Sequence, residues 1–262
     1  MVAKNLALIF KYFKLNMQKE YQYKTSFFTK IVMMILNNAF FILQWVIIFQ
    51  VTDKIGNYGF KEVMLLWSIS AGSYGVAHTF FHGAFNIGEL VYEGKLDVYL
   101  TQPKNVLINL ICSTTSVSAL GDICYCFIAL AIAGASWWWY LAIIPVSIIG
   151  ALIYTAIVTC FQTLSFYIKR GSSIAELIDV GTVMFTNYPP VIFNTVVKLM
   201  LFTIIPCGFM VFVPAEFIFL SFNVWWILAM IGFATILLIM AFILFKLGLK
   251  KYNSGNLMGG RL

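Results

Sequence analysis

Residues 222–248 read FNVWWILAMIGFATILLIMAFILFKLG, with Lys246 the sole charged residue among them. Crossing the hydrocarbon of a bilayer as a helix takes about 20 consecutive apolar residues, and this stretch supplies them without a proline. A small soluble domain has too little interior to cover such a segment on every side. Outward from it, toward the N-terminus, five more apolar stretches read the same way, at about 27–51, 63–86, 106–134, 138–167 and 172–188. Composition agrees: 61% of residues are hydrophobic and 10% charged, whereas soluble domains hold about 45–50% and about 25%. The expected fold is all-α and polytopic, with six transmembrane helices in one membrane domain over residues 1–262.

Two further segments complete the layout. In residues 1–24, Leu6, Ile9, Phe10, Phe13 and Met17 recur at helical spacing. Lys4, Lys11, Lys14, Lys19 and Lys24 take other positions, the pattern of a helix lying on an anionic membrane surface. Residues 189–214 are apolar but interrupted by Pro189, Pro190, Pro206 and Pro214. Proline ends or kinks helices, and irregular backbone at membrane depth needs protein or water around it. The segment therefore reads as an outer re-entrant hairpin before the last span.

Lysine and arginine placement orients the chain. Lys95, Lys104, Lys169, Arg170, Lys246, Lys250, Lys251 and Arg261 fall on the side of the lysine-rich N-terminus, while Lys54, Lys61 and Lys198 fall on the other. Both termini are thus expected in the cytoplasm. The net charge of +7 is spread over the hydrophilic gaps rather than gathered on one face, which argues against nucleic acid. Cys112, Cys124, Cys126, Cys160 and Cys207 are odd in number, lie in apolar stretches and form no C-x-x-C. They read as packing residues, not as a disulfide framework or zinc cluster. The first long apolar run, from Phe27, follows a long lysine-bearing leader and exceeds a signal-peptide core, so no cleavable signal is expected.

Several residues invite a chemical reading. Between the second and third spans, Glu89, Glu93, Lys95 and Asp97 interleave with Leu90, Val91, Leu96, Val98 and Leu100. A short amphipathic helix there, over 88–101, suits docking to a soluble partner. Gly88 and Gly94-Lys95 imitate a phosphate-binding loop, but five residues separate the glycines and Leu96 stands where Ser or Thr would hold magnesium. This chain is expected to bind no ATP itself. His78 and His82, at i and i+4, share one helix face, yet lack the adjacent glutamate and third ligand of a zinc enzyme. Asp122 lies mid-span, with Ser118 in reach as a partner. Intramembrane carboxylates face the bundle interior or water. His78, His82 and Asp122 therefore read as interior or pathway polar residues. Ser68, Gly72 and Gly75 would allow close helix contact.

The ordered set of features resembles the permease subunits of bacterial ABC exporters of the ABC-2-like class. The basic leader comes first. Glu93-Gly94-Lys95-Leu96-Asp97 with Pro103 is similar to an E-G-x-L-D…P pattern. Tyr188-Pro189, Lys198, Ile205-Pro206 and Pro214-Ala215-Glu216 resemble the Y-P…R…P…P-A segment before the last span of those permeases. Gly248 through Lys251-Tyr252-Asn253-Ser254-Gly255 is similar to their ending. Lys198 replaces a frequent arginine and Asn253 a frequent serine.

The resemblance implies a dimer, with a second copy or a related permease, in the bacterial cytoplasmic membrane, bound to cytoplasmic ABC ATPase subunits that hold ATP and magnesium. Residues 1–24 would be the elbow helix. Residues 88–101 would be the coupling helix, acting through Glu89, Glu93, Gly94, Lys95, Leu96 and Asp97. Tyr188, Pro189, Pro190, Lys198, Pro206 and Pro214 would belong to the outer re-entrant segment. The chain would bind no cofactor and catalyse nothing. A rival reading is a proton-coupled secondary carrier using Asp122 with His78 and His82, although no inverted repeat is evident.

Overall fold

The computed structural model describes residues 2–221, 223 and 225–252. The Asn253-Ser254-Gly255 ending, Arg261 and the side chains of Lys4 and Leu6 lie outside that description. The helices run in the order α1 (Val2–Tyr21), α2 (Lys24–Val51), α3 (Phe60–Phe80), α4 (Ile87–Tyr92), α5 (Asp97–Leu100) and α6 (Val106–Ile111). There follow α7 (Ala119–Ile132), α8 (Trp137–Gln162), α9 (Gly171–Thr186), α10 (Thr195–Thr203) and α11 (Trp225–Leu249). Among the described residues the sole β pairing is an isolated bridge between Ile55 and Tyr58.

The centre of the molecule is α3, enclosed by α7, α8 and α2. Its sequence explains that position. Small residues let neighbouring backbones come close, which is how helices associate where water provides no hydrophobic drive. A Cβ on Gly75 would stand 2.9 Å from the Ile123 backbone nitrogen and 3.1 Å from the Ala119 carbonyl. A Cβ on Gly72 would run into Ser147 of α8 and Cys126 of α7. Ser68 Oγ donates to the Cys126 carbonyl at 2.8 Å. At the start of α3 the Gly59 amide donates to Glu62 at 2.9 Å, satisfying a donor the helix itself leaves free.

The outer helices bury only a stripe. On α11 it is Met230, Ala234, Leu237, Ala241, Phe245 and Gly248, spaced three or four apart as one helix face requires. Leu228, Ile231, Ile236, Ile239 and Ile243 are exposed. On α2 only Asn38 and Trp45 are buried. Apolar surface of this extent is stable against lipid, not water.

Three helical segments are long and apolar enough to cross a membrane: Lys24–Val51, Trp137–Phe166 and Trp225–Leu249. Thr195–Thr203 with Cys207–Leu220, bent by 81°, makes a fourth candidate if the bent pair is one span. The chain is thus an all-helical, multi-pass membrane protein. The apolar stretch 63–86 covers most of α3, which ends at Phe80 before a 3₁₀ turn over His82–Asn86, and Ser68, Ser70, Ser73, Tyr74 and His78 dilute its apolarity. The stretch 106–134 is not one helix, contrary to the sequence expectation. It breaks at residues 112–118 into α6 and α7. Cys112-Ser-Thr-Thr-Ser-Val-Ser118 is rich in hydroxyls that compete with helix hydrogen bonds: Ser113 Oγ donates to the Leu110 carbonyl at 2.7 Å. The Ser116 amide turns instead to the His78 carbonyl, at 2.9 Å. The 14 residues of α7 reach only about 21 Å at 1.5 Å each.

The amphipathic leader folds as α1, continuous over Val2–Tyr21. Phe13 packs on Phe80 at 5.0 Å between ring centroids. Tyr12 donates to Asn109 Oδ1, and Asn16 donates to the Ser113 backbone and Thr115 hydroxyl at 3.0 and 3.1 Å. Helix α1 is thereby tied to the broken segment. All five cysteines are free. Cys124 is exposed, so it is not the interior packing residue its sequence context implied.

Gly75→Val should be the most damaging single-residue enlargement of α3. Its branched side chain meets the Ile123 and Ala119 backbone as well as the Ile123 side chain, and backbone cannot swing away, so stability should fall by about 1–3 kcal/mol. Thermal unfolding in detergent checks this, with Gly232→Val, at a position with open space around it, as the tolerated control.

Candidate functional site

Three places gather the polar residues of this chain. The first is the segment that follows α3. Residues 88–101 do not form the single helix expected from their pattern. They fold as the end of α4, a turn, and α5. Gly94 is the reason, with φ of 71° in the left-handed region that glycine enters without strain. One side of this pair is anchored. Ile87, Val91 and Leu96 are buried together with Leu107, Leu110 and Phe245. The Gly88 amide donates to Gln162 Oε1 at 2.9 Å, and Gln162 Nε2 donates to the Phe85 carbonyl at 2.7 Å.

The other side of the pair is open. Tyr92, Val98 and Leu100 are 55%, 62% and 42% exposed, and Glu89 and Lys95 are exposed beside them. Lys95 pairs with Glu93 at 2.7 Å, and this hydrogen bond raises the lysine pKa. Asp97 faces the Tyr252 hydroxyl, whose pKa burial and the carboxylate both raise. The sequence-derived set thus divides. Glu89, Glu93, Lys95 and Asp97 can meet a partner, Gly94 shapes the turn, and Leu96, at 0% exposure, is an internal anchor. Tyr92 was missed, because alternation with charge marked only its aliphatic neighbours.

The second place is a cavity of about 440 Å³ bounded by α2, α3, α7, α9 and the break before α7. It brings His78, near the end of α3, and His82, in the 3₁₀ turn that follows, together with Asp122 of α7. Asn38 Nδ2 donates to Asp122 Oδ1 at 2.7 Å. Asn38, not Ser118, is therefore the carboxylate's partner; Ser118 bonds Ser116 at 2.9 Å. The two histidine Nδ1 atoms are 3.0 Å apart, so one ring donates there and the other accepts. His78 also stacks on Phe85 at 4.0 Å. Deeper in the wall, Ser70 donates to Asn187 at 3.1 Å and Tyr74 meets Thr186 at 3.1 Å. Asn38 and Asn187 are contributors that single positions in apolar runs did not announce. Among the described residues, no three His, Cys, Asp or Glu side chains gather as metal ligands.

The third place is the proline-broken segment. Tyr188 packs against Trp45 and takes a 3.5 Å hydrogen bond from Gln44. Pro189 and Pro190 lead into a 3₁₀ turn. Asn194 caps α10 by accepting from the Val197 amide at 2.9 Å. Pro206 separates α10 from the next turn, and Pro214 opens a π-helix over Pro214–Leu220. Lys198 and Glu216 line a second cavity of about 350 Å³ with Tyr58. The Tyr58 hydroxyl donates to Glu216, and burial together with that carboxylate raises the Tyr58 pKa.

Residues 33–255 match the family model described as ABC-2 family transporter protein. The chain belongs to that family. The match includes the exposed face after α3, the interior cavity and the proline-broken segment. No curated protein and no solved structure matches the chain. As an ABC-2 permease it is a membrane component of a transporter, not the catalyst. Members of the family work in systems that generally use ATPase partners.

Asn38→Leu should strip Asp122 of its donor and lower stability by about 1–3 kcal/mol, the cost of leaving a buried polar group unpaired. Adding Asp122→Leu should recover most of that loss. Thermal melting of the two variants in detergent reads both effects.

Proposed function

We propose that this chain is the membrane-spanning permease subunit of an ATP-driven exporter in a bacterial cytoplasmic membrane. It works as a dimer and is driven by separate cytoplasmic ATPase subunits that carry ATP and magnesium. In this reading six helical stretches cross the bilayer, the third of them as α7 after the break at 112–118, and both termini lie in the cytoplasm. Helix α1 is the elbow, and residues 88–101 are the coupling element. The 189–214 segment is the outer re-entrant region.

The observation that carries the reading is the two-sided segment after α3. Its inner side is anchored through Ile87, Val91 and Leu96. Its outer side offers Tyr92, Val98 and Leu100 among charges. An exposed apolar patch rimmed by charge is what a soluble partner's groove recognises, and a rigidly anchored patch transfers displacement instead of absorbing it. ATP would draw the two ATPase subunits together, and their motion would reach the helices through this patch. Nucleotide shifts the permease between inward- and outward-facing states only so far as the ATPase binds the two states differently.

One observation favours a proton-driven carrier instead, namely that Asp122, His78 and His82 share a cavity. Transport by membrane vesicles with a pH gradient and no ATP would support it.

Purification in nanodiscs from the native membrane, followed by mass spectrometry, tests the main proposal. An ATPase subunit near one-to-one stoichiometry is expected. Val98→Asp and Glu93→Arg should each weaken that association at least about tenfold, a loss of 1.4 kcal/mol or more, while the thermal melting of the permease stays unchanged. Full association in both variants would remove the coupling role from this segment.

A further inference from the structure

We propose that the cavity bounded by α2, α3, α7 and α9 is a binding site for an amphipathic organic cation. Its carboxylate is Asp122 and its aromatic wall is Phe41, Trp67 and Tyr74. Calling that cation the cargo rests on the permease reading; the binding itself does not.

The charge of the cavity decides the sign of the ligand. Asp122 opens onto it, half-buried and held by an uncharged partner, Asn38. Among the described residues that line it there is no lysine or arginine. The histidines do not make up for this. Their Nδ1 atoms face each other at 3.0 Å, and among the described residues the carboxylate's hydrogen-bond donor is Asn38, not either ring. A carboxylate at membrane depth without a cation is costly, and a bound cation offsets that cost.

The walls decide the ligand's size and character. A cavity of about 440 Å³ is far larger than a bare ion and falls in the range of small-molecule sites. The rings of Phe41, Trp67 and Tyr74 line it, and aromatic faces attract cations and bury apolar surface. Trp67 is 4% exposed, and its indole N–H meets no acceptor among the described residues. Asn37 supplies an independent argument. It lines the same cavity yet is exposed midway along α2. A carboxamide at that depth is disfavoured against lipid, which places this mouth of the cavity toward water or a second chain.

The test uses berberine, a planar fluorescent cation bearing ether oxygens, on the full chain in nanodiscs of zwitterionic lipid. Anilinonaphthalene sulfonate is the anionic counterpart. Berberine should bind saturably. Asp122→Asn should weaken it at least about tenfold, Asp122→Glu should keep most of the affinity, and the anionic probe should be indifferent to either change. Equal berberine affinity in the wild-type chain and Asp122→Asn would overturn the proposal. So would an anionic probe that competes for the site with equal affinity. If Asp122→Asn does not fold, the wild-type chain still decides. Berberine should protect Asp122 from dicyclohexylcarbodiimide, mapped by peptide mass spectrometry. No protection, or equal protection by sodium ions alone, would overturn the organic-cation site. Absence of a co-purifying ATPase would sink the permease reading while leaving the berberine result standing, so the two failures are separable.

Discussion

The close approach of α3 to α7 and α8 is the contact on which the rest of the molecule depends. Gly72, Gly75 and Gly150 stand where a Cβ would strike a neighbouring helix. In lipid there is little hydrophobic drive between helices, so dispersion contact and hydrogen bonds must hold them together, and both need short distances. Because α3 is surrounded, it can carry serines, a tyrosine and a histidine that a lipid-facing helix could not. The interior cavity follows from this. Three of its polar groups, Ser70, Tyr74 and His78, are presented by a long helix that protein, rather than lipid, encloses.

Much of this was legible in the sequence. The all-helical membrane class, the leader helix, the positions of the main apolar helices and the disruption around Pro189, Pro206 and Pro214 all came from apolar length and proline placement. What escaped is equally physical. The break at 112–118 lies within an apolar stretch, and its serines and threonines are individually tolerated in helices; only their accumulation, with His78's carbonyl offering an alternative acceptor, ends the helix. The turn at Gly94 was hidden because the apolar pattern of 88–101 continues across it. Leu96 was grouped with its charged neighbours because sequence adjacency does not say which face is anchored.

The polar residues show the same limit. His78, His82 and Asp122 could each be singled out, since charged or titratable groups are expensive at membrane depth. That they share one cavity, and that Asn38 is the carboxylate's partner, depends on the packing of α2 against α7, which no local pattern encodes. Trp67 offers still less warning: a tryptophan in a buried helix reads as core, and only its place in the cavity lining marks it as more.

The apolar interior comes in two separate bodies. The larger one surrounds α3. The smaller joins Ile87, Val91, Leu96, Leu107, Leu110 and Phe245, from the two loop helices, α6 and the far end of α11. Gln162 bridges the boundary between them, bonded to Phe85 on one side and Gly88 on the other. Interlocked side chains resist sliding through many contacts at once, whereas a hydrogen-bonded seam yields by exchanging a few directional partners. Helix α11 also crosses that boundary, with Met230, Ala234, Leu237 and Ala241 in the larger body and Phe245 in the smaller, so a sideways load on residues 88–101 is met both by the Gln162 bridge and by bending of the last helix.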